Sequence, residues 1–319
     1  MSERGQTVRW RFVISVVLWL GLLGSWMPLL HNFHWFPALF DHFRLQFVVA
    51  SGLAMVVALL ARAGRTAVFA LITLVYHLWP LASVHRTVPS SVTAAPMPAL
   101  KMVCFNVLVS NTQYDRVSRW LDEVSPDVII LLEVTATWAT KLEALKKTHP
   151  HGDSFPAGDC TGVAIYSRLP LSGVSLLDHG ADTLPSITGI LNWAGRPVRL
   201  IGVHPIHPTG AKHARMMEWQ LEDLARRVSG SRDVPVIVAG DFNCAPWARQ
   251  MRKFQQGSGL SYRCTQPIWW PTWNLRHPLM LAIDHTLCTP HLFVESREIS
   301  PDLGSDHRAQ NLAVRWVKD

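Results

Sequence analysis

Three long apolar runs near the N-terminus constrain this chain more than any other feature of it. Phe12 to Leu30 carries no formal charge. Leu45 to Ala61 is a second run, and Thr66 to Ala82 a third, broken only by polar spots such as His77. A helix needs about 20 apolar residues to cross a hydrocarbon core. A buried helix of a soluble core would read the same way if it stood alone. Three in close succession point instead to membrane helices, because a helix satisfies its own backbone where no water is at hand. They also explain why the whole chain is 49% apolar with a mean hydropathy of +0.14.

Arg4, Arg9 and Arg11 precede the first run, as they would in a secretory leader. No small-x-small cleavage site follows, and Pro28 leads into bulky Leu29, Leu30, His31 and Phe33, so the run reads as an uncleaved anchor. Arg62 and Arg65 fill the turn between the second and third runs. The loop His31–Arg44 holds one Arg, one Asp and the aromatics Phe33, Trp35, Phe36, Phe40 and Phe43, a composition suited to a membrane interface. Basic residues favour the cytoplasmic side. The N-terminus and the Arg62–Arg65 turn are therefore expected in the cytoplasm, and everything after Ala82 outside it. Two crossings in place of three would reverse that expectation.

The formal charge of +7 is unevenly spread. Residues 1–99 hold 7 Lys/Arg against 2 Asp/Glu, and residues 100–319 hold 23 against 21. The excess belongs to the membrane region, where it sets topology. The remainder lacks the basic surplus of a polyanion-binding domain, which disfavours tight duplex binding. The cysteines Cys104, Cys160, Cys244, Cys264 and Cys288 form no C-x-x-C pair, so a zinc site is not expected. An oxidising compartment would permit a Cys264–Cys288 disulfide.

The expected organisation is a membrane anchor over 1–82, a linker over 83–99 containing Pro89, Pro96 and Pro98, and one folded domain over 100–319. In that domain strand-like runs lie at Leu100–Val107, Asp127–Leu132, Gly162–Ser167, Leu171–Leu177, Ser186–Trp193, Arg196–His204, Val234–Ala239, Leu281–Leu287, Phe293–Ile299 and Ala309–Trp316. Helical spacing marks Tyr114–Val124, Thr137–Lys147 and Ala211–Val228. Two strand-rich halves with helices between them suggest an α/β arrangement of sheets packed face to face, with helices outside.

Several strands end in the same kind of residue. "KMVCFNVL" ends at Asn106, "DVIILLEV" at Glu133 and "RLIGVHPIHP" at His204. "PVIVAGDFN" ends at Asp241 and Asn243, "LAIDHTL" carries Asp284, and "DLGSDHRAQ" places Asp306 and His307 before the last strand. Gly, Asp and Asn after Ala239 would make an ordinary turn if they stood alone. Six polar endings in order are different, because strand ends on one rim of a sheet can converge. The oxygens of Glu133, Asp306 and Asn106 suit a hard cation such as Mg²⁺ or Mn²⁺. Paired His and Asp groups can orient and polarise an imidazole. Together these groups fit metal-assisted attack of water on phosphorus.

The series FN, LLE, GVAIYSRLPL, VH, GDFN, IDH and SDH resembles the endonuclease/exonuclease/phosphatase superfamily, the DNase I-like fold, across residues 100–319. The resemblance implies a four-layer α/β sandwich. It implies Glu133 as the main metal ligand, helped by Asn106 and Asp306. Asp241 would orient or deprotonate the attacking water, and Asn243 would hold the water or the phosphate. His307, supported by Asp284, would contact the phosphate, and His204 would act near the leaving group or a phosphate oxygen. Gly240 would let the chain turn so that Asp241 and Asn243 face one phosphorus. In many nucleases of this fold an Asp stands two residues after the first Asn; here that position is Leu108, which weakens a two-metal scheme.

The three-helix anchor with this domain also resembles bacterial inner-membrane members of the superfamily that dephosphorylate undecaprenyl pyrophosphate, with the catalytic domain outside the cytoplasm. A lipid-linked phosphate is then the expected substrate and the bilayer the expected partner. A nuclease or nucleotide phosphodiesterase is the alternative within the same chemistry, and a silent lipid- or protein-binding domain the alternative outside it. "IWWPTWN", with Trp269, Trp270 and Trp273, reads either as packing or as a rim loop touching lipid or substrate. His207 reads as a second phosphate contact or as a solvent-facing side chain.

Overall fold

The computed structural model describes residues 3–84, 88, 92–180, 183–230 and 233–318. The chain divides into two compact units, residues 1–85 and, apart from Trp247–Arg249, residues 86–319. The expected linker over 83–99 lies partly outside the described residues.

The first unit is helical. α1 spans Glu3–Gly24, α2 Trp35–Leu39, α3 Arg44–Leu60 and α4 Gly64–Val84, with 3₁₀ turns at Met27–Leu30 and Phe40–Phe43. Three segments are long and apolar enough to cross a membrane, Trp10–Leu30, Trp35–Leu60 and Gly64–Ala82. The polar groups inside are turned on one another. Trp26 Nε1 donates to Thr73 Oγ1 at 3.0 Å, and His77, the polar spot in the third run, lies 3.0 Å from Ser25 Oγ. Trp19 stacks on Phe69 and Trp26 on Tyr76, with ring centroids 4.2 and 4.5 Å apart. Arg44, buried where α3 begins, is paired with Asp41 at 2.6 Å.

The second unit is built on two sheets. Its elements in order are β1 Leu100–Asn106, α5 Tyr114–Val124, β2 Val128–Leu132, α6 Ala136–Lys141, β3 His151–Phe155, β4 Val163–Ser167, β5 Leu171–Leu177, β6 Ser186–Trp193, β7 Arg196–Val203, α7 Ala211–Ser229, β8 Val236–Asp241, α8 Arg249–Ser258, β9 Asp284–Cys288, β10 Leu292–Ile299 and β11 Gln310–Trp316. One sheet runs β10-β11-β1-β2-β4-β3 and the other β5-β6-β7-β8-β9.

Both faces of the central strands are apolar, as sandwiching demands. Alternate residues of β1 and β2 (Val103, Phe105, Ile129, Leu131) pack with Val117, Trp120 and Leu121 of α5 and with Trp138 of α6. Their neighbours face the second sheet: a Cβ at Gly202 of β7 would lie 2.6 Å from Ile130 Cγ2 of β2. On the far side of the second sheet, Phe242 meets Phe254 of α8 at 5.6 Å, and α7 buries Leu221, Leu224 and Val228. The result is a four-layer α/β sandwich with a DNase I-like fold. All five cysteines are free thiols, so Cys264 and Cys288 are not bridged.

The elements differ from the sequence expectation in a few places. The helix expected over Thr137–Lys147 is α6 followed by a separate 3₁₀ turn, Glu143–Lys147. The edge strand β3, which is little buried, and the short helix α8, whose apolar residues are only Met251 and Phe254, were not expected.

Candidate phosphoester-hydrolysis site

Strand direction explains why the polar endings meet. β1 and β2 are parallel, with Asn106 in register with Leu132, and β7 and β8 are parallel, with Val203 in register with Gly240. Their C-terminal ends therefore deliver Asn106, Glu133, His204 and Asp241 to one rim of each sheet. β9 and β11 run antiparallel to β8 and β1, so they begin where those strands end. That places Asp284 opposite Asp241, and Asp306 and His307 just before β11.

The side chains form one network. Asn106 Nδ2 donates to Glu133 Oε1 at 2.9 Å and to Asp241 Oδ2 at 3.2 Å, joining the two sheets. Glu133 Oε2 accepts from the Val109 amide at 3.0 Å. His204 Nε2 lies 3.8 Å from Glu133 Oε1 and 3.5 Å from Asp241 Oδ2, while its Nδ1 is 3.2 Å from the Cys160 carbonyl. His307 Nδ1 is 2.9 Å from Asp284 Oδ2, and its Nε2 is 3.4 Å from Asp241 Oδ2. Asn243 donates its backbone N–H to Asp241 Oδ1 at 2.8 Å and its Nδ2 to the Pro205 carbonyl at 2.9 Å. Asn106, His204, Asp241, Asp284 and His307 are buried, Glu133 and Asn243 half-buried, and Asp306 exposed.

The backbone is strained where the site needs it. Glu133 has φ +60°, Asn243 +50° and Leu108 +67°, a region that costs a non-glycine residue of order 1–3 kcal/mol. The hydrogen bonds to Glu133 Oε2 and Asp241 Oδ1 over-determine the first two. The turn expected at Gly240 is three residues later, at Asn243. Gly240 itself is in regular β8 and is small for another reason: a Cβ there would lie 1.9 Å from the Val203 carbonyl oxygen of the neighbouring strand. Asp284, expected inside its strand, is the first residue of β9.

Burial divides the charges unequally. It holds the Asp241 carboxyl above the ordinary carboxylate range, with Asp284 adding to the effect against His307 and His204. Burial would raise Asp284 too, but the His307 charge, its hydrogen bond and Thr272 outweigh that and hold Asp284 low. Burial works to lower His307, yet Asp284 and Asp241 dominate and push it up to about 10. At neutral pH the pair is an imidazolium clamped by Asp284, with an N–H aimed at Asp241.

Two supporting residues, Ser305 and Thr272, escaped the sequence reading, and a third, Trp273, was singled out there only as packing or a rim-loop residue. Buried Ser305 donates to the Asn106 carbonyl at 2.8 Å and accepts from the His307 amide at 3.0 Å. Thr272 Oγ1 accepts from the Ile283 and Asp284 amides. Trp273 Nε1 donates to Asp306 Oδ2 at 2.9 Å. Ser305 was visible as the first residue of the SDH stretch; Thr272 carried no signal. His207 is exposed, its ring edge-on to His213.

A family model for the Endonuclease/Exonuclease/phosphatase family matches residues 103–307, from β1 to His307. The chain belongs to that family. Solved structures that share the family fold include D. rerio TDP2 complexed with single strand DNA product, at 14% identity and a TM-score of 0.58 over 68% of this chain and 99% of that one. The human Nocturnin catalytic domain with bound sulfate anion is 19% identical with a TM-score of 0.55, over 71% and 96%. Sphingomyelinase C from Streptomyces griseocarneus is 15% identical with a TM-score of 0.52, over 68% and 99%. At these identities the likeness establishes the fold. No curated protein sequence matches the chain.

Members of the Endonuclease/Exonuclease/phosphatase family are phosphoesterase hydrolases, generally dependent on a divalent metal. Two donor sets here have the chemistry for one. Asp241, Asp284 and His307 offer atoms all within 4.8 Å of one another. Glu133 and Asn106, bonded to each other, form an oxygen-rich set beside them, and Ser305 ties the Asp306 segment to the Asn106 backbone.

A Ser–His–Asp arrangement lies elsewhere in the domain. His179 is 2.8 Å from both Asp223 Oδ2 and Ser186 Oγ. Ser186 is fully buried on β6, so no substrate reaches it, and the three residues pin that strand to α7.

Proposed function

We propose that this chain is a membrane-anchored, divalent-metal-dependent phosphoesterase that hydrolyses a phosphate ester or pyrophosphate carried by a lipid, with its catalytic domain outside the cytoplasm of a bacterial inner membrane. The observation that carries the chemistry is the convergence of Asn106, Glu133, His204, Asp241 and His307 from two sheets onto one hydrogen-bonded network. The three apolar spans carry the anchoring.

The metal is better assigned to Glu133, with Asn106 and Asp306, than to the Asp241–Asp284–His307 group. In that group both ring nitrogens of His307 already face carboxylates, Nδ1 at 2.9 Å from Asp284 Oδ2 and Nε2 at 3.4 Å from Asp241 Oδ2, which leaves no free imidazole donor. Oxygen donors suit Mg²⁺ or Mn²⁺. A cation held there would offset charge on the phosphate oxygens and polarise the phosphorus.

The protein groups perform the rest. Asp241, held above the ordinary range, accepts the proton of the attacking water. Asn243 is fixed beside it and presents its amide to the water or the phosphate. The His307 imidazolium, oriented by Asp284, donates to a phosphate oxygen and offsets the charge that grows in the transition state. His204 faces Glu133 and Asp241 through Nε2, placed to protonate the leaving oxygen.

The lipid-linked reading rests on the tether and on the near balance of charge in residues 100–319, which lacks the basic surplus of a polyanion-binding domain. The full-length chain in detergent with Mg²⁺ is to be offered undecaprenyl pyrophosphate, nicked plasmid and an oligonucleotide, with Asp241→Ala as the control. Phosphate release from the lipid, lost in the variant and without cleavage of DNA, is the expected result. Cleavage of DNA with the same dependence on Asp241 would replace this reading with a nuclease.

A further inference from the structure

Large exposed apolar side chains are scarce on the second unit. Among its described residues they are Leu176, Trp219, Trp270, Leu275, Leu279 and Met280. Four of these six fall within eleven residues of one loop. That loop connects α8 to β9, a stretch of 25 residues with no helix or extended strand. Long structureless loops in compact domains are usually functional. Trp270 is 56% exposed, and its ring stacks on Trp269 at 5.5 Å.

The loop is fastened to the site. Trp273 bonds Asp306 Oδ2, the Asn274 amide donates to the Asp306 carbonyl at 2.8 Å, and the Arg308 amide donates to the Thr272 carbonyl at 2.7 Å. Trp273 also bridges to His307. The apolar tips are thus carried on a segment whose other end positions Asp306 and His307.

We infer that Trp270, Leu275 and Leu279 form a lip that seats on the surface of a phospholipid bilayer and presents a lipid's phosphate to the catalytic centre. Two observations select a bilayer over a protein partner. Helix α4 ends at Val84 and β1 begins at Leu100, so the 15 residues between them hold the domain within about 50 Å of the end of that helix. From Gln266 to Ile283 the sequence has no Asp or Glu to repel an anionic lipid surface, and its basic residues Arg276, paired with Asp302, and His277 are both exposed. Trp with flanking apolar side chains favours that interface. The inference deepens the lipid-phosphate reading and rests on it for its catalytic consequence.

The chain has 14 tryptophans. The difference in emission between wild type and Trp270→Phe therefore isolates Trp270. With the full-length protein in nanodiscs of phosphatidylcholine and phosphatidylglycerol, the Trp270 component is expected to be quenched when the phosphatidylcholine is brominated near its headgroup end. A component unchanged by bromination overturns the lip. In the second arm, Leu279→Asn is expected to raise KM for undecaprenyl pyrophosphate about tenfold, an apolar contact's worth. It should leave kcat for bis-p-nitrophenyl phosphate, a soluble probe, unchanged. An equal loss on both probes also overturns the lip. Quenching of Trp270 in a protein that hydrolyses no phosphoester would support the lip and remove the phosphoesterase reading.

Discussion

Asp241 carries the heaviest role in the proposed chemistry, and its setting was only half legible in the sequence. GDFN announced a carboxylate and an amide at a strand end. That Asn106 and His307 both reach Asp241 Oδ2 needed the sheets to be assembled. Asp241→Ala is expected to lower kcat by about 10²–10⁴, the usual value of a positioned base, with thermal stability retained. The His307–Asp284 pair makes a pH prediction. His307 is raised from 6.5 to about 10, so its stabilisation is complete below 6.5 and is lost as pH rises through about 10. Asp284 is held low, so its share is lost as the medium becomes strongly acidic. Melting temperature followed against pH should show the alkaline fall in wild type and not in His307→Gln. A wild-type curve flat through that range would contradict the assignment.

At the scale of elements, the parallel pairs β1–β2 and β7–β8 were readable as apolar runs ending in polar residues, and they set the rim. β3, "HGDSF", was not readable, because an edge strand with little burial has no alternation to detect. α8 is mostly polar and only ten residues long. Gly240 was read as a turn residue because its local company is that of a turn. Its true constraint is the Val203 carbonyl on another strand, which lies 37 residues away in sequence and leaves no local trace. Gly240→Ala should therefore destabilise by about 3 kcal/mol, the upper end of overpacking costs, since backbone must move. Gly202→Ala meets only the Ile130 and Ile187 side-chain tips and should cost less. Thermal melts of the two variants check the order; a milder Gly240→Ala would contradict it.

For the whole molecule, hydropathy marked the three apolar helices, and the chemistry-bearing residues pointed to the fold. Neither gave the supporting contacts of Ser305, Thr272 and Trp273, whose roles depend on loops meeting from distant parts of the chain. The proposed topology, with three crossings, would put the C-terminus outside the cytoplasm. Alkaline phosphatase fused after Asp319 should be active in cells, and a fusion active only as a cytoplasmic reporter would reverse the topology. The account as a whole stands on a single metal-dependent phosphoester-hydrolysing centre assembled from both sheets. Its most direct test is inorganic phosphate release from undecaprenyl pyrophosphate by the full-length protein, measured with Mg²⁺, after EDTA, and with Mg²⁺ restored, in wild type and Glu133→Gln. The account predicts turnover that EDTA abolishes, Mg²⁺ restores and Glu133→Gln lacks. Turnover that survives EDTA, or that Glu133→Gln retains in full, would contradict it.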